Sequence, residues 1–174
     1  IIRHFGLGCA PNRWDGLLRH MRQKGYSEAE LVNANLARRS DKNGRTSCYD
    51  NFRNRMMIPI IDLRGNVIAF GGRVLDDAKP KYVNTSDTLV YKKSQAIFAL
   101  NFAKSANQGK LILAEGYMDV IAYHQAGFTN AVACLGTALT REQARLLARY
   151  ADEVILSYDA DGAGQEATRR AIGI

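Results

Sequence analysis

The sequence of 174 residues predicts two folds in succession: an α+β segment over residues 1–108 and an α/β domain with a parallel sheet over residues 109–174. From Gly109 onward, short apolar runs alternate with helical patterns, whereas the first half is irregular. The net charge of +7 is also unevenly divided: residues 1–108 carry 18 Lys and Arg against 9 Asp and Glu, and residues 109–174 carry 6 against 8. A basic segment joined to an acidic one indicates a surface for a polyanion beside a site for cations.

Two short helices are predicted near the start of the chain. Residues 14–23 have the amphipathic spacing of a helix, and Gly25 is a stop signal just beyond them. Ser27 and Glu30 have the spacing of a capping box, which predicts that a second helix begins after Ser27.

The rest of the first half is predicted to be richer in strands and loops. The stretch 37–51 is polar, contains a glycine and is interpreted as a loop. The β-rich runs 56–62 and 66–75 flank a turn-like tetrapeptide and predict an antiparallel hairpin. After a basic stretch, a further helix is predicted over about 94–106.

Strand and helix alternate three times in the second half. The strands are predicted at 111–114, 131–135 and 154–158, and the helices at 117–126, 140–150 and from Gln165 onward. Gly127 closes the first of these helices, and Thr140 with Gln143 forms a capping box at the start of the second. This alternation produces right-handed βαβ crossovers and therefore a parallel sheet, in the order βαβαβα.

Acidic side chains follow two of the predicted strands. Glu115 comes directly after the first strand with Asp119 one helical turn later, and Asp159 and Asp161 come directly after the third. Because parallel strands gather their carboxyl ends at one edge of a sheet, we expect these four carboxylates to converge. Like charges so close raise one another's pKa, and a hard divalent cation removes the repulsion. Oxygen ligands with no His or Cys nearby favour Mg²⁺ or Mn²⁺ over zinc.

Other interpretations of the loop after the third strand fit less well. An EF-hand beginning at Asp159 would place Ala163 at the fifth position and Arg170 at the twelfth, where an acid is required. The Asp-x-Asp site of aspartyl-phosphate phosphatases needs a long domain downstream. A plain turn that caps the next helix explains Asp161 alone and stays open, although it leaves the other carboxylates unexplained.

The cysteines and the hydropathy pattern indicate the cellular compartment in which the protein is expected. Cys9, Cys48 and Cys134 are widely spaced without a Cys-x-x-Cys pair, which predicts reduced thiols in the cytoplasm and no zinc site. No apolar run is long enough to cross a bilayer, and the start of the chain lacks the pattern of a signal peptide, so no membrane partner is expected.

Several segments resemble a known family. The Glu-Gly helix start, the Gly-Thr loop after the second strand and the Asp-x-Asp-x-x-Gly loop after the third look like the Toprim domain of topoisomerases, primases and some nucleases. Longer stretches are similar to bacterial replicative DNA primases of the DnaG type. These stretches are EGYMDVIAYHQAGFTNAVACLGTALT (115–140), YDADGAGQEA (158–167), FGLGCAPNRWDGLL (5–18), FRNRMMIPIIDLRGNVIAFGGRVL (52–75) and KPKYVNTSDTLVYKK (79–93). The resemblance covers nearly the whole chain, as a basic N-terminal subdomain of the catalytic core (1–108) followed by a Toprim domain (109–174).

The resemblance implies DNA-directed synthesis of RNA primers from nucleoside triphosphates on a single-stranded DNA template, with Mg²⁺ or Mn²⁺. It also implies contact with the RNA–DNA hybrid, contacts with the replicative helicase and single-strand binding protein through the full-length protein, and a cytoplasmic location at the bacterial replication fork. Two alternatives stay open: another Toprim enzyme of the topoisomerase or nuclease type that cleaves phosphodiesters, and an inactive nucleic-acid-binding fragment.

The acidic residues receive roles from the resemblance by position. Glu115 matches the family's general acid or base, and its metal ligands match Asp119, Asp159 and Asp161. Gly116, Gly162 and Gly164 are expected to let the backbone approach phosphates without a Cβ in the way. The family has a further acidic pair after the next strand, beyond residue 174, so the metal site is expected to be incomplete in this chain.

The resemblance also assigns the groove for template and nucleotide to the basic half of the chain. The matching positions are Arg53, Arg55, Arg73, Lys81, Asn84 and Lys93. Tyr82 and Tyr91 lie among these residues and are predicted to stack on bases, whereas Phe52 is predicted to pack in the core.

Overall fold

The computed structural model describes residues 1–42, 44–106, 109–136 and 138–174, and no helix within these ranges is long and apolar enough to span a membrane. The tertiary contacts divide the chain into two compact units. The antiparallel-sheet unit comprises residues 2–59 and 69–90, and the parallel-sheet unit comprises Ile1, 60–68 and 91–174. The domain boundaries that the sequence predicts, 1–108 and 109–174, stay a prediction.

The antiparallel-sheet unit combines small sheets with short helices, as the α+β expectation requires. In chain order its elements are helix α1 (Ile2–Phe5), strand β1 (Gly8–Ala10), helices α2 (Gly16–Gln23) and α3 (Glu28–Asn33), and strands β2 (Ala37–Lys42), β3 (Arg45–Asp50), β4 (Arg55–Ile61), β5 (Val67–Val74) and β6 (Tyr82–Asn84). Strands β1, β4, β5 and β6 form one sheet in that order, and β2 pairs with β3 in another. The tip of the β4–β5 hairpin, residues 60–68, is counted with the parallel-sheet unit.

The helix signals of the first half are confirmed. Gly25 has a φ of 90° just beyond α2. At the start of α3 the capping box is complete, since the Glu30 backbone N–H donates to Ser27 Oγ at 3.3 Å and the Ser27 N–H donates to Glu30 Oε2 at 2.8 Å. The donation from the Ser27 N–H, together with one from the Ser27 hydroxyl to the same Oε2 at 2.7 Å, lowers the pKa of the exposed Glu30 carboxyl.

The stretch 37–51, predicted to be a loop, is instead a β-hairpin. Strands β2 and β3 pair antiparallel over their whole lengths, and Gly44, between the two strands, has a φ of 70°. Residue 43 lies outside the described residues. The prediction was wrong because the polarity of the stretch outweighed its Asn-Gly pair, and Asn-Gly favours a two-residue hairpin turn.

The predicted hairpin of β4 and β5 is present. In its turn the Asp62 N–H donates to the Asn66 carbonyl at 2.9 Å. The Asp62 carboxylate accepts from the Asn66 side-chain amide at 3.0 Å and from the backbone N–H groups of Asn66 and Arg64 at 2.8 and 2.9 Å, and these bonds lower its pKa. Gly65 supplies the positive φ of 93° that the turn needs.

The parallel-sheet unit alternates strands and helices as predicted. Its elements are helix α4 (Leu100–Ala103), strand β7 (Lys110–Ala114), helix α5 (Tyr117–Gln125), strand β8 (Ala131–Ala133), helix α6 (Arg141–Leu147), strand β9 (Glu153–Ser157) and helix α7 (Gly162–Ile172). The strands are parallel in the order β8-β7-β9. Leu111 and Leu113 of the central strand are fully buried, each contributing about 1.5–3 kcal/mol of hydrophobic stabilisation. They pack with Ile97, Leu100, Val132 and Leu147 in one core.

The helix predicted over 94–106 is much shorter in the structure. Phe98 forms an antiparallel bridge to Ala133 on the outer edge of β8. The distance from the Phe98 nitrogen to the Ala133 carbonyl oxygen is 2.8 Å, and that from the Ala133 nitrogen to the Phe98 carbonyl oxygen is 3.3 Å. Ala99 follows with a left-handed φ of 63°, so α4 begins only at Leu100. The prediction failed because an edge strand has backbone groups that require partners, and the local apolar pattern contains no information about that edge.

Candidate functional site

Glu115 and Asp119 lie where β7 passes into α5. Glu115 directly follows the strand, and Gly116 is the N-cap of the helix. The Gly116 N–H donates to Asp119 Oδ2 at 3.1 Å, so the Asp119 carboxylate also holds the first turn of α5.

Asp159 and Asp161 lie where β9 passes into α7. Asp161 is the N-cap of the helix, and its Oδ1 accepts from the Gly164 N–H at 2.8 Å. The capping interpretation is therefore confirmed for Asp161, and α7 begins at Gly162 rather than at the predicted Gln165. A carboxylate at this place also interacts favourably with the helix dipole.

The two acidic loops meet at Glu115. The Asp159 N–H donates to Glu115 Oε1 over 3.4 Å, a long hydrogen bond that joins the ends of β7 and β9. The pKa of Glu115 is raised, first by partial burial and then by the charge of Asp159, with smaller contributions from Asp161 and Asp119. The structure thus brings Glu115 beside Asp159, and the charges of all three aspartates contribute to the raised pKa of Glu115.

The acidic residues do not form a closed metal cage. Within the part of the chain that the structure describes, no group of three or more His, Cys, Asp or Glu side chains is spaced to hold one metal ion. The donors are all carboxylate oxygens, and Mg²⁺ is commonly held by one or two carboxylates together with waters and substrate phosphates. The donor set therefore fits a hard cation that arrives with a phosphate ligand.

Two cavities open beside these residues. One of about 440 Å³ is lined by residues that include Glu115, Cys134, Tyr158 and Arg170. The other, of about 340 Å³, is lined by residues that include Asp119, Tyr123, Ser157 and Asp159. The carboxyl edge of the sheet therefore has room for a ligand on either side of the acidic loops.

The three predicted loop glycines differ in their surroundings. A Cβ at Gly164 would stand 2.0 Å from the Asp159 carbonyl oxygen, whereas a Cβ at Gly162 would have no atom within 4 Å. At Gly116 the nearest atom would be Asp119 Oδ2 at 3.8 Å. Internal packing therefore requires a glycine only at position 164 among these three.

A second cavity system lies in the antiparallel-sheet unit, where a basic cavity of about 440 Å³ is lined by residues that include Arg38, Asn51, Arg53, Arg55 and Lys79. Arg53, one of these lining residues, contacts a pair of stacked aromatic rings. Its guanidinium is 4.6 Å from the centroid of the Trp14 ring and 5.1 Å from that of Tyr49, and the two rings are stacked 4.7 Å apart. The Trp14 side chain is 59% exposed, so it can accept a further stacking partner.

Arg55 uses its guanidinium inside the protein. It is 7% exposed and donates to the carbonyl oxygens of Gly72, Lys81 and Pro80 at 3.2, 3.3 and 2.9 Å. Burial, followed by the charge of Arg53, lowers its pKa. Arg55 thus ties β4 to β5 and to the segment that leads into β6.

Three of the other predicted groove residues lie on β5 and β6 or directly before β6, and the fourth lies in the parallel-sheet unit. The Arg73 guanidinium lies 5.8 Å from the centroid of the half-buried Tyr82 ring, and Lys81 is exposed. Asn84 of β6 pairs with Gly71 of β5. Lys93 is half-buried and belongs to the parallel-sheet unit.

The predictions for the aromatic residues have different outcomes. Tyr91 is only 1% exposed, so the prediction that it stacks on bases is wrong: its ring is enclosed in the core. Phe52, at 5% exposure, packs edge-on against Phe70, which confirms its predicted core role.

The sequence matches known families along almost its whole length. Residues 1–104 match the family described as "DNA primase catalytic core, N-terminal domain". The chain belongs to this family. Residues 112–174 match a second family, described as "Toprim-like", so both parts of the DnaG-type resemblance are confirmed.

Individual relatives agree with this family membership. Curated DNA primases of Clostridium acetobutylicum and Deinococcus radiodurans are each 52% identical to the chain, over 99% and 96% of its length. A solved DnaG primase catalytic domain bound to ssDNA has a TM-score of 0.88 at 40% identity over 98% of the chain. The RNA polymerase domain of Mycobacterium tuberculosis DnaG also has a TM-score of 0.88, at 38% identity over 99% of the chain.

The chain corresponds to part of these longer primases. It spans 28% and 29% of the length of the two curated relatives, and 53% and 59% of the two solved chains.

Sequence reasoning missed several residues of the basic cavity of this primase-family chain. Arg38 and Tyr49 are cross-strand partners in the β2–β3 hairpin, and the Arg38 Nε–H donates to Asn51 Oδ1 at 2.6 Å. The Asn-Gly turn signal was sufficient to place these two side chains opposite each other. Outside the lining of this cavity, the structural role of Asp50 was also missed: its buried carboxylate accepts from the N–H groups of Leu17 and Leu18, and no local pattern indicates that long-range contact.

Proposed function

We propose that this chain is the catalytic part of a DNA primase that synthesises RNA primers from nucleoside triphosphates on a single-stranded DNA template. The observation that carries the proposal is the acidic edge of the parallel sheet, where Glu115 and Asp159 meet at the ends of β7 and β9 in a chain of the primase catalytic-core family. An acidic cluster at the carboxyl edge of a parallel sheet suits phosphoryl transfer, because that edge is where open α/β sheets bind their ligands.

In this proposal Asp119, Asp159 and Asp161 would supply the carboxylate ligands of Mg²⁺, or of Mn²⁺ in its place, with one or two of them on each ion and the phosphates of the nucleotide as its further ligands. When bound, the cation neutralises the charge that develops on the phosphoryl oxygens. Glu115 accepts the proton of the attacking 3′-hydroxyl, and its raised pKa brings its proton affinity closer to that needed near neutral pH. Gly116 and Gly162 leave room for phosphates at the two helix starts, whereas the missing side chain of Gly164 is needed for packing against Asp159.

The basic residues bind the nucleic acid and the nucleotide. Arg53, Arg73, Lys81, Asn84 and Lys93 contact phosphates, and Arg55 contributes chiefly by holding the segment that carries Lys81. Trp14, stacked on Tyr49, offers a face for a base of the template or of the RNA–DNA hybrid. A relative at 40% identity was solved bound to ssDNA, which supports this assignment.

The wider setting follows from the same proposal. The full-length protein meets the replicative helicase and single-strand binding protein at the replication fork, in the bacterial cytoplasm. The curated relatives are bacterial DNA primases, in agreement with that location.

Primer synthesis tests the acidic site. The assay supplies NTPs, labelled single-stranded template and a titration of Mg²⁺ or Mn²⁺. Glu115→Gln is expected to lower the rate by about 10²–10⁴-fold, as for loss of a general base. Glu142→Gln, an exposed acid on α6, is the control and should leave the rate unchanged. Full activity of Glu115→Gln would overturn the assignment. Shortened template without new RNA would indicate a Toprim nuclease, and template binding without either product would indicate a binding module.

Tryptophan fluorescence tests the nucleic-acid surface. Trp14 is the only tryptophan, so quenching of its emission by single-stranded DNA reports contact at this position directly. The affinity should fall with salt, and Arg53→Ala should reduce the slope of log affinity against log salt by about one. Arg149→Ala, on the exposed face after α6, is the matched control. Unquenched Trp14 emission at saturating DNA would exclude a contact at this ring.

A further inference from the structure

Gln143 is a fully buried polar side chain in the first turn of α6, at 0% exposure. Every hydrogen-bonding position of its amide has a partner. Nε2 donates to the carbonyl oxygens of Lys93 and Ala96, each at 2.9 Å. Oε1 accepts from the Thr140 N–H at 2.9 Å and from Cys134 Sγ at 3.4 Å. A primary amide has two donors and two acceptor lone pairs, so this side chain is completely used.

Only one of these four bonds, that from the Thr140 N–H, belongs to the helix cap. The capping box needs an acceptor at this position for the Thr140 N–H, and a glutamate would serve equally well there. The two donations to Lys93 and Ala96 need the amide NH₂ group. The choice of Gln over Glu at position 143 is therefore explained by the segment that begins at Lys93.

Segment 93–98 is held by a local turn and by its neighbours. In the turn, the N–H groups of Gln95 and Ala96 donate to the Lys92 carbonyl at 3.0 and 3.1 Å. The segment contains no helix or strand of its own, and besides Gln143 it is bound by Thr140 Oγ1, which donates to the Ser94 carbonyl at 2.6 Å. Its other end is fixed by the Phe98 bridge to β8. The start of α6 and the edge of β8 thus fix the position of this turn, and with it the backbone of Lys93.

We propose that Gln143 is a positioning residue for Lys93, acting through the Lys93 carbonyl to hold its ammonium group where it meets a nucleotide phosphate. This inference rests on the proposed role of Lys93 in the primase function. Loss of the two hydrogen bonds from Gln143 releases the backbone of segment 93–98 at Lys93. A displacement of about 1 Å can lower the reaction rate of a positioned site by up to about 10²-fold.

Two variants separate the helix cap from the segment. Gln143→Glu keeps an acceptor for Thr140 but turns a carboxylate toward two carbonyl oxygens, and Gln143→Met keeps the volume without hydrogen bonds. Arg141→Gln is the control, because it changes the charge of the same first turn by one unit at an exposed position. Circular dichroism and thermal unfolding verify that each variant is folded.

Limited trypsin digestion measures how firmly segment 93–98 is bound to its neighbours, and this readout does not depend on activity. Cleavage after Lys92 and Lys93 should be about tenfold faster in both Gln143 variants, as expected for a segment that has lost two hydrogen bonds. Cleavage after the exposed Arg149 should be unchanged and provides the internal reference. Equal cleavage at Lys93 in wild type and both variants would overturn the proposal.

A double-mutant cycle with Lys93→Ala tests the positioning itself. The readout is the dissociation constant of a fluorescent ATP analogue in the presence of Mg²⁺. Gln143→Glu should weaken binding about tenfold in the wild-type background and have no further effect beside Lys93→Ala. Equal effects in both backgrounds would show a merely structural role and overturn the proposal, as would normal binding by Lys93→Ala alone. A wild-type chain that binds the nucleotide but makes no primer would contradict the primase function, and the cycle would still decide the role of Gln143.

Discussion

Gly164 packs against Asp159 so closely that a Cβ at position 164 would stand 2.0 Å from the Asp159 carbonyl oxygen. The same Cβ would lie 3.0 Å from Glu115 Oε1. Because the nearest atom is backbone, no rotation of a side chain can relieve the overlap. The absence of a side chain at Gly164 thus sets the distance between the first turn of α7 and the acidic loop.

Gly164→Ala should therefore destabilise the protein by more than about 2 kcal/mol, since overpacking against backbone forces the chain to move. Gly162→Ala is the matched control in the same turn, and removing a helical glycine there should change the stability by less than about 1 kcal/mol. Urea unfolding followed by circular dichroism measures both. Equal stability of the two variants would contradict the close packing at Gly164.

Asp161 has a structural role that can be separated from its proposed role as a metal ligand. Asp161→Ala removes the acceptor for the Gly164 N–H and should cost about 1 kcal/mol of stability. Asp161→Asn retains a capping oxygen, so its stability should stay near wild type while metal-dependent primer synthesis falls. Urea unfolding and the primer assay distinguish these outcomes. Full activity of Asp161→Asn would leave Asp161 with the capping role alone.

Arg55 is expected to behave as a structural residue. Arg55→Ala leaves the carbonyl oxygens of Gly72, Pro80 and Lys81 without this donor and should cost about 2–3 kcal/mol. Arg39→Ala, an exposed arginine on β2, should change the stability by less than about 0.5 kcal/mol. Chemical unfolding of the two variants checks the difference. An Arg55→Ala variant as stable as Arg39→Ala would show that water replaces the guanidinium.

Cys134 should make the stability sensitive to alkaline pH. Burial raises the pKa of its thiol from 9.0 to about 12, so the folded state retains the proton that the unfolded chain releases. The contribution of the thiol to stability is fully present below pH 9.0 and is lost as the pH rises toward about 12. Relative to Cys134→Ala, the wild type should lose about 1.4 kcal/mol per pH unit in that window. Unfolding both proteins between pH 8 and 10.5 measures the difference, and a constant difference would contradict the buried thiol.

Most of the parallel-sheet unit was predictable because its signals are local. The strand-helix alternation, the capping box of Thr140 and Gln143, and the stop at Gly127 each depend on residues a few positions apart. The meeting of Glu115 with Asp159 followed from the same pattern, because parallel strands bring their carboxyl ends to one edge.

Two of the errors have a common cause. The short helix α4 and the enclosed ring of Tyr91 depend on elements far away in the sequence. Local patterns indicate that a residue is apolar or charged, but long-range packing decides which backbone groups need partners.

The sequence by itself determined the fold class, the family resemblance and the strand ends at which the four carboxylates lie, because periodicity and strand connectivity are encoded in neighbouring residues. Only the tertiary structure decided that Asp161 caps α7, that Gly164 admits no side chain and that Gln143 holds the carbonyl of Lys93. These features depend on single atoms brought within hydrogen-bonding or van der Waals distance by chain packing, and a residue pattern does not contain such distances.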